Sequence, residues 1–187
     1  MKRTFIGLKI EPNAVLLQLL SDLKKSLNGE QLRWIDPQNL HLTLRFLGNT
    51  EDSQLIAINN ALDDLTPQFN NFTLEIEGLG IFGKRSLPKI LWAGVKIPQN
   101  VYSLVENIEE ILVNAGFVGE TKPYSPHLTL CRIKSLSDAS NLVNLVDDYN
   151  KTHFVTQDMN QIILYESVLK NFGAEYVPLR IFDLNKA

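Results

Sequence analysis

The chain has 187 residues, 44% hydrophobic and 21% charged, with a formal net charge of −3 at pH 7. That balance fits one globular domain and excludes a protein that coats long nucleic acid, which needs a broad basic surface to displace counterions. A small anionic substrate, or one end of a nucleic acid, asks only for a local positive site.

The first segment, RTFIGLKI, alternates like a strand, and Lys9 and Pro12 interrupt it too early for a secretory signal. Helical spacing follows in NAVLLQLLSDLKKSLN, with Val15, Leu16, Leu19, Leu20, Leu23 and Leu27 as one apolar stripe. LHLTLRFL reads as a strand, and TEDSQLIAINNALDDL as a second helix with Thr50 as its N-cap and Leu55, Ile58, Leu62 and Leu65 facing inward. NFTLEIEGLGIF and KILWAGVKI are strands, joined by the cationic loop GKRSLPK (Lys84, Arg85, Lys89). The second half repeats the plan. A helix in NVYSLVENIEEILVNAG closes at Gly116, the strand HLTLCRI follows, and then a short helix in SDASNLVNLVDDYN. The strands HFVTQDMNQIILYESVL and AEYVPLRIFDL complete the chain. The expected fold class is α+β: one domain over 1–187, a duplicated unit with pseudo-two-fold symmetry. Two antiparallel sheets would face a central cleft with helices outside, the repeats covering roughly 1–97 and 98–187. No stretch approaches the roughly 18 apolar residues of a membrane span, and the single cysteine, Cys131, forbids an intramolecular disulfide. A cytoplasmic monomer without membrane attachment is therefore expected.

The chain contains three histidines, and two of them, His41 and His127, stand in the same tetrapeptide, His-Leu-Thr-Leu. On a strand His41 and Thr43 share one face while Leu42 and Leu44 anchor the other, and His127 and Thr129 stand likewise against Leu128 and Leu130. A single strand histidine is more often a hydrogen-bonded structural residue than a catalyst. Repetition of a tetrapeptide holding so rare a residue points to a duplicated unit. Two imidazoles facing one cleft suit displacement at phosphorus, one as acid and one as base near neutral pH. The threonine hydroxyls can donate to phosphate oxygens. Symmetry alone leaves open which histidine does which.

RWIDPQNLHLTLRFLG and PHLTLCRI, with GIFGKRSLPKILWAGV and LYESVLKNFGAEYVPL, closely resemble the 2H phosphoesterases. Within them the likeness is to the RNA 2′,3′-cyclic phosphodiesterases, the 2′-5′ RNA ligase-like group. The resemblance spans nearly the whole chain and implies an enzyme with a bilobal fold whose two motifs line one cleft. It implies hydrolysis of a 2′,3′-cyclic phosphate at an RNA 3′ end to a 2′-phosphate, independent of metal or other cofactor, with weak 2′-5′ ligation as the reverse. His41 would be the proton donor and His127 the proton acceptor. Thr43 and Thr129 would hold the phosphate, joined by Arg132; Cys131 stands where the family commonly has a smaller residue. Arg45 shares the strand parity of His41 and could add charge, whereas Arg132 reaches the His127 face only if the strand bulges or ends.

Other readings are a phosphodiesterase acting on another cyclic or 2′-5′-linked nucleotide, or a non-catalytic module that binds RNA ends or nucleotides. Tyr124 and Phe46 offer aromatic faces to a base but read more readily as wall residues. The loop cations Lys84, Arg85 and Lys89 read as solvated. His153 lacks a partner motif, and no metal site is expected.

Overall fold

The computed structural model describes residues 1–170 and 173–186. Its strands are β1 (Lys2–Lys9), β2 (Gln31–Trp34), β3 (His41–Thr50), β4 (Phe72–Lys84), β5 (Leu87–Lys96), β6 (His127–Ser135), β7 (His153–Met159), β8 (Gln161–Lys170) and β9 (Gly173–Asp183). The helices are α1 (Ala14–Ser26), α2 (Asp52–Leu65), α3 (Gln99–Asn114) and α4 (Ser140–Asp148). Asn171 and Phe172, inside one of the family-like segments, lie outside the described residues.

Alternation of apolar and polar residues builds the sheet, whose strands pair antiparallel in the order β7-β4-β5-β6-β3-β1-β8-β9. The two sheets expected from sequence are thus halves of one curled sheet, β6-β5-β4-β7 and β3-β1-β8-β9. They meet at a single residue pair, Leu42 opposite Leu128. Each half draws strands from both sides of residue 97, because β8 and β9 return to β1 while β4 and β5 join β6. The spatial halves therefore differ from the chain halves.

Leu42, Leu44, Leu128 and Leu130, each at most 3% exposed, join the apolar stripes of all four helices in one core. Burying such a side chain stabilises the fold by about 1.5–3 kcal/mol. The helices cover this face and leave the His/Thr face open. In α1 the inward stripe is Leu16, Leu19, Leu20, Leu23 and Leu27, whereas Val15 is 49% exposed at its edge. Thr50 does not cap α2. It ends β3 and is buried against the Thr4 hydroxyl at 2.7 Å. Glu51 is the N-cap instead, its N–H donating to Oε1 of Gln54 at 3.0 Å. Gly116, with φ of 86°, follows the end of α3 as expected. The short edge strand β2 carries too few alternations to show in the sequence, and the HFVTQDM–QIILYESVLK run breaks at Asn160 into β7 and β8. Among the described residues, no helix is long and apolar enough to cross a membrane.

Candidate active site

The Leu42–Leu128 pair fixes the centre of the site. In an antiparallel register it sets His41 against Thr129 and Thr43 against His127, all four on the face opposite the leucines. The two motifs are therefore side by side across the seam of the sheet, related by a local two-fold, and all four side chains are partly exposed.

Both imidazoles are held the same way. Nδ1 of His41 bonds the Asn39 carbonyl at 2.7 Å, and Nδ1 of His127 bonds the Ser125 carbonyl at 2.7 Å. A carbonyl oxygen only accepts, so each Nδ1 carries the proton and each Nε2 is free for chemistry. For His41 the carbonyl is delivered by a 3₁₀ turn, Pro37–Asn39, whose Asp36 cap accepts from the Gln38 N–H at 2.9 Å. Asn39 is itself tied by its Nδ2 to the Ala174 carbonyl at 2.9 Å.

Aromatic rings wall each histidine. His41 packs against Phe5, with ring centroids 4.9 Å apart, and edge-on against Tyr176 at 4.8 Å. His127 meets Phe82 edge-on at 4.8 Å, with Trp92 at 6.4 Å. Burial pushes the His41 pKa below its ordinary value, against the raising effect of the Asn39 carbonyl. Positive charge on His127 and Arg132 lowers it further.

The two arginines separate, for one physical reason. On β3, Gly7 faces Thr43 but Ile6 faces Arg45, so a bulge absorbs one residue and reverses the parity. Arg45 consequently turns away from His41. Its Nε donates to Glu109 of α3 at 2.6 Å and its Nη atoms to the Phe46 and Val118 carbonyls at 2.8 and 2.7 Å. It clamps α3 and the loop after it, and its charge is already matched. On β6 the matching bulge lies beyond Thr129, where Trp92 faces Thr129 but Leu91 faces Cys131. Leu130 and Cys131 are buried in succession, and Arg132 returns to the open face. The bulge that removes Arg45 from the cleft in one half brings Arg132 into it in the other. Phe46, five residues after His41 as Arg132 is after His127, is 56% exposed and packs on Phe5.

Tyr124 is a wall residue. Its hydroxyl donates to the Thr43 carbonyl at 3.0 Å, and burial raises its pKa. Arg85 pairs with Asp147 at the β4–β5 turn, away from the histidines. His153 is exposed on β7, where its ring and the carboxylates of Glu75 and Glu77 lie close enough to share a cation. Glu77, however, is ion-paired to Lys96 at 2.7 Å.

Sequence reasoning missed Phe5, Tyr176, Phe82 and Trp92 as the shell of the histidines, since their approach depends on pairing between distant strands. The carbonyl at the second residue before each histidine had no distinguishing side chain to reveal it. The glycine opposite Trp92 was a weak signal: an added Cβ on Gly80 would lie 2.2 Å from the indole, so only glycine leaves the ring its place.

A family model for LigT-like phosphoesterases matches residues 6–92. An RNA 2′,3′-cyclic phosphodiesterase of Aquifex aeolicus is 32% identical over 154 residues, 81% of this chain and 81% of that one. Another so named, from Archaeoglobus fulgidus, is 28% identical over 97% of this chain and 99% of its own. The solved structure of E. coli LigT complexed with 3′-AMP is similar in fold, with a TM-score of 0.78 at 22% identity and 98% coverage of both chains. These likenesses place the fold among the phosphoesterases of the 2H superfamily. The chain belongs to their LigT-like family, the RNA 2′,3′-cyclic phosphodiesterases.

Proposed function

We propose that this protein opens 2′,3′-cyclic phosphates at RNA 3′ ends to 2′-phosphates, by general acid–base catalysis between His41 and His127 and without a metal. The observation that carries this reading is the pairing of the two His-x-Thr strands about Leu42 and Leu128, with both Nε2 atoms free on one face. His127 Nε2 takes a proton from water as its oxygen attacks phosphorus opposite the 3′ oxygen. The bond from phosphorus to the 3′ oxygen breaks, and His41 Nε2 protonates that oxygen. A 2′-phosphomonoester remains. Thr43 and Thr129 hydroxyls and the Arg132 guanidinium hold the non-bridging oxygens and meet the charge that builds on them. Acid, base and charge stabilisation are thus all supplied by side chains, which supports the metal-free reading. The division of roles between the histidines follows the family resemblance.

His41 is depressed in the free protein by its burial. The phosphodiester monoanion beside it reverses that balance, so binding of substrate charges the acid that substrate needs. A 5′-hydroxyl in place of water would be deprotonated by His127 in the same way and give a 2′-5′ linkage, the reverse ligation that the family resemblance implies.

The test is hydrolysis of an RNA oligonucleotide ending in a 2′,3′-cyclic phosphate, in EDTA. Wild type yields a 2′-phosphate end, and His41→Ala and His127→Ala each lose on the order of 10²–10⁴ in kcat. Loss of wild-type activity in EDTA, or retention of rate in either variant, refutes the mechanism.

A further inference from the structure

A cavity of about 830 Å³ lies beside the two histidines rather than around them. It shares Phe5, Asn39 and Tyr176 with the surroundings of His41 and runs from there toward β2, α1 and the far end of β8. Five cations reach it: Arg3, Lys24, Arg33, Arg132 and Lys170. They face the carboxylates of Asp36 and Glu175, the latter paired with Lys170 at 3.4 Å. A chain of net charge −3 thus concentrates positive charge in one place.

Two of these cations are arranged at a cost. Arg33 of β2 stands directly opposite Arg132 of β6 in the antiparallel register. Like charges so placed are destabilising unless an anion lies between them. Among the described residues, neither makes an ion pair or a side-chain hydrogen bond, and nor does Arg3. All three act on one hydroxyl: burial raises the Tyr176 pKa, and the charges of Arg132, Arg3 and Arg33 each pull it back. The Tyr176 ring, in turn, is edge-on to His41 at 4.8 Å. The three arginines thus line one cavity with a residue that touches the candidate acid.

Aromatic surface lies within the same cavity. Phe46 is 56% exposed, and Trp34 lies under the Lys24 ammonium, 5.8 Å from the ring centroid. A cationic groove with interleaved rings suits single-stranded nucleic acid, its phosphates on the cations and its bases on the rings. The sheet beyond His127 is different. There Glu77 faces Gly94, which faces His127, and Glu75 lies on the same strand face. Cations unpaired among the described residues gather on the His41 side of the site, whereas on the His127 side Glu77 is already matched by Lys96.

We propose that the cavity is a track for the RNA chain 5′ to the terminal cyclic phosphate, with Arg3 and Arg33 binding backbone phosphates of the nucleotides upstream and Phe46 and Trp34 stacking their bases. The protein then acts on oligonucleotide ends in preference to free cyclic mononucleotides. This rests on the cyclic-phosphate reading for its chemistry and adds the length of the substrate. Arg132 belongs to both parts, reaching the terminal phosphate from the edge of the track.

The experiment compares an RNA pentamer ending in a 2′,3′-cyclic phosphate with adenosine 2′,3′-cyclic phosphate, using wild type, Arg3→Ala, Arg33→Ala and the double variant. Arg85→Ala, a cation outside the cavity, is the control and matches wild type. Wild type is expected to favour the pentamer in kcat/KM. Each cavity variant should lose about tenfold on the pentamer, mostly through KM, as removal of a hydrogen bond to a charged group does. The loss on the mononucleotide should be several-fold smaller. The slope of log affinity against log salt, read by fluorescence anisotropy on the pentamer ending in a 2′-phosphate, should be shallower by about 0.7 for each phosphate contact removed. Equal losses on both substrates, or none on the pentamer, overturn the track. The anisotropy needs no turnover. Arginine-dependent binding by a protein that opens neither cyclic phosphate would sustain the track and sink the catalytic reading. Hydrolysis of both substrates with no preference and no arginine dependence would do the reverse.

Discussion

Gly80 on β4 faces Trp92 on β5, and the indole lies over the glycine. A Cβ added there would stand 2.2, 2.3 and 2.7 Å from Cζ2, Cη2 and Cε2 of the ring. Carbon atoms settle at about 3.5–4.0 Å, so Gly80→Ala must move a fused aromatic ring by more than an ångström. Trp92 has little room for this. It is tilted against Phe82, with centroids 5.4 Å apart, and its Nε1 is enclosed. Phe82 is edge-on to His127, so the displacement is passed to the candidate base. Overpacking of this kind costs about 1–3 kcal/mol, and each kcal/mol lowers Tm by about 2–4 °C in a chain of this size. A misplacement near 1 Å can cost about 10² in rate, so kcat should fall further than stability alone explains. The assay is thermal unfolding by circular dichroism, with the near-ultraviolet tryptophan signal and kcat on a cyclic-phosphate end. Gly119→Ala, whose Cβ would meet its nearest neighbour at an ordinary 3.6 Å, serves as the control. The reasoning fails if Gly80→Ala keeps the wild-type Tm, tryptophan spectrum and kcat.

Burial keeps His41 neutral in the folded chain below the ordinary histidine value of 6.5, where the unfolded chain takes up a proton. Its contribution is present above that pH and is lost as pH falls through the depressed folded value. The urea midpoint of His41→Asn should therefore fall less between pH 7 and 5 than that of wild type, and parallel curves would refute this. For Arg45→Ala the expected loss is about 1.5 kcal/mol, at the low end for hydrogen bonds to a charged group because the pair is partly exposed. Its kcat/KM should change by a smaller factor than that of Arg132→Ala, measured on the same substrate; the opposite order would return Arg45 to the phosphate. Burial pushes the Cys131 thiol up to about 12. Iodoacetamide at pH 8 should label it only in denaturant, and mass spectrometry showing rapid labelling of the native chain would contradict its placement in the core.

Much of the site was legible because strand geometry is local. A period of two places His41 with Thr43 and His127 with Thr129 on one face, and the leucines on the other, whatever the strands pair with. The helical stripe of α1 and the glycine stop of α3 were readable on the same ground. Arg45 and Arg132 were not, because a bulge is a property of two strands in register, and one residue of slip reverses every side chain beyond it. The same limit hid Thr50, which was drawn from its capping position by the Thr4 hydroxyl on a neighbouring strand.

The sequence by itself determined the repeated motif, the alternating faces and the family likeness, all carried by residues near one another in the chain. Tertiary structure decided which arginine enters the cleft and which aromatic rings wall each histidine. It also decided that Arg3, Arg33 and Arg132 line one cavity with Tyr176. These depend on strand order and register, which join residues far apart in the chain and leave no mark on any single segment.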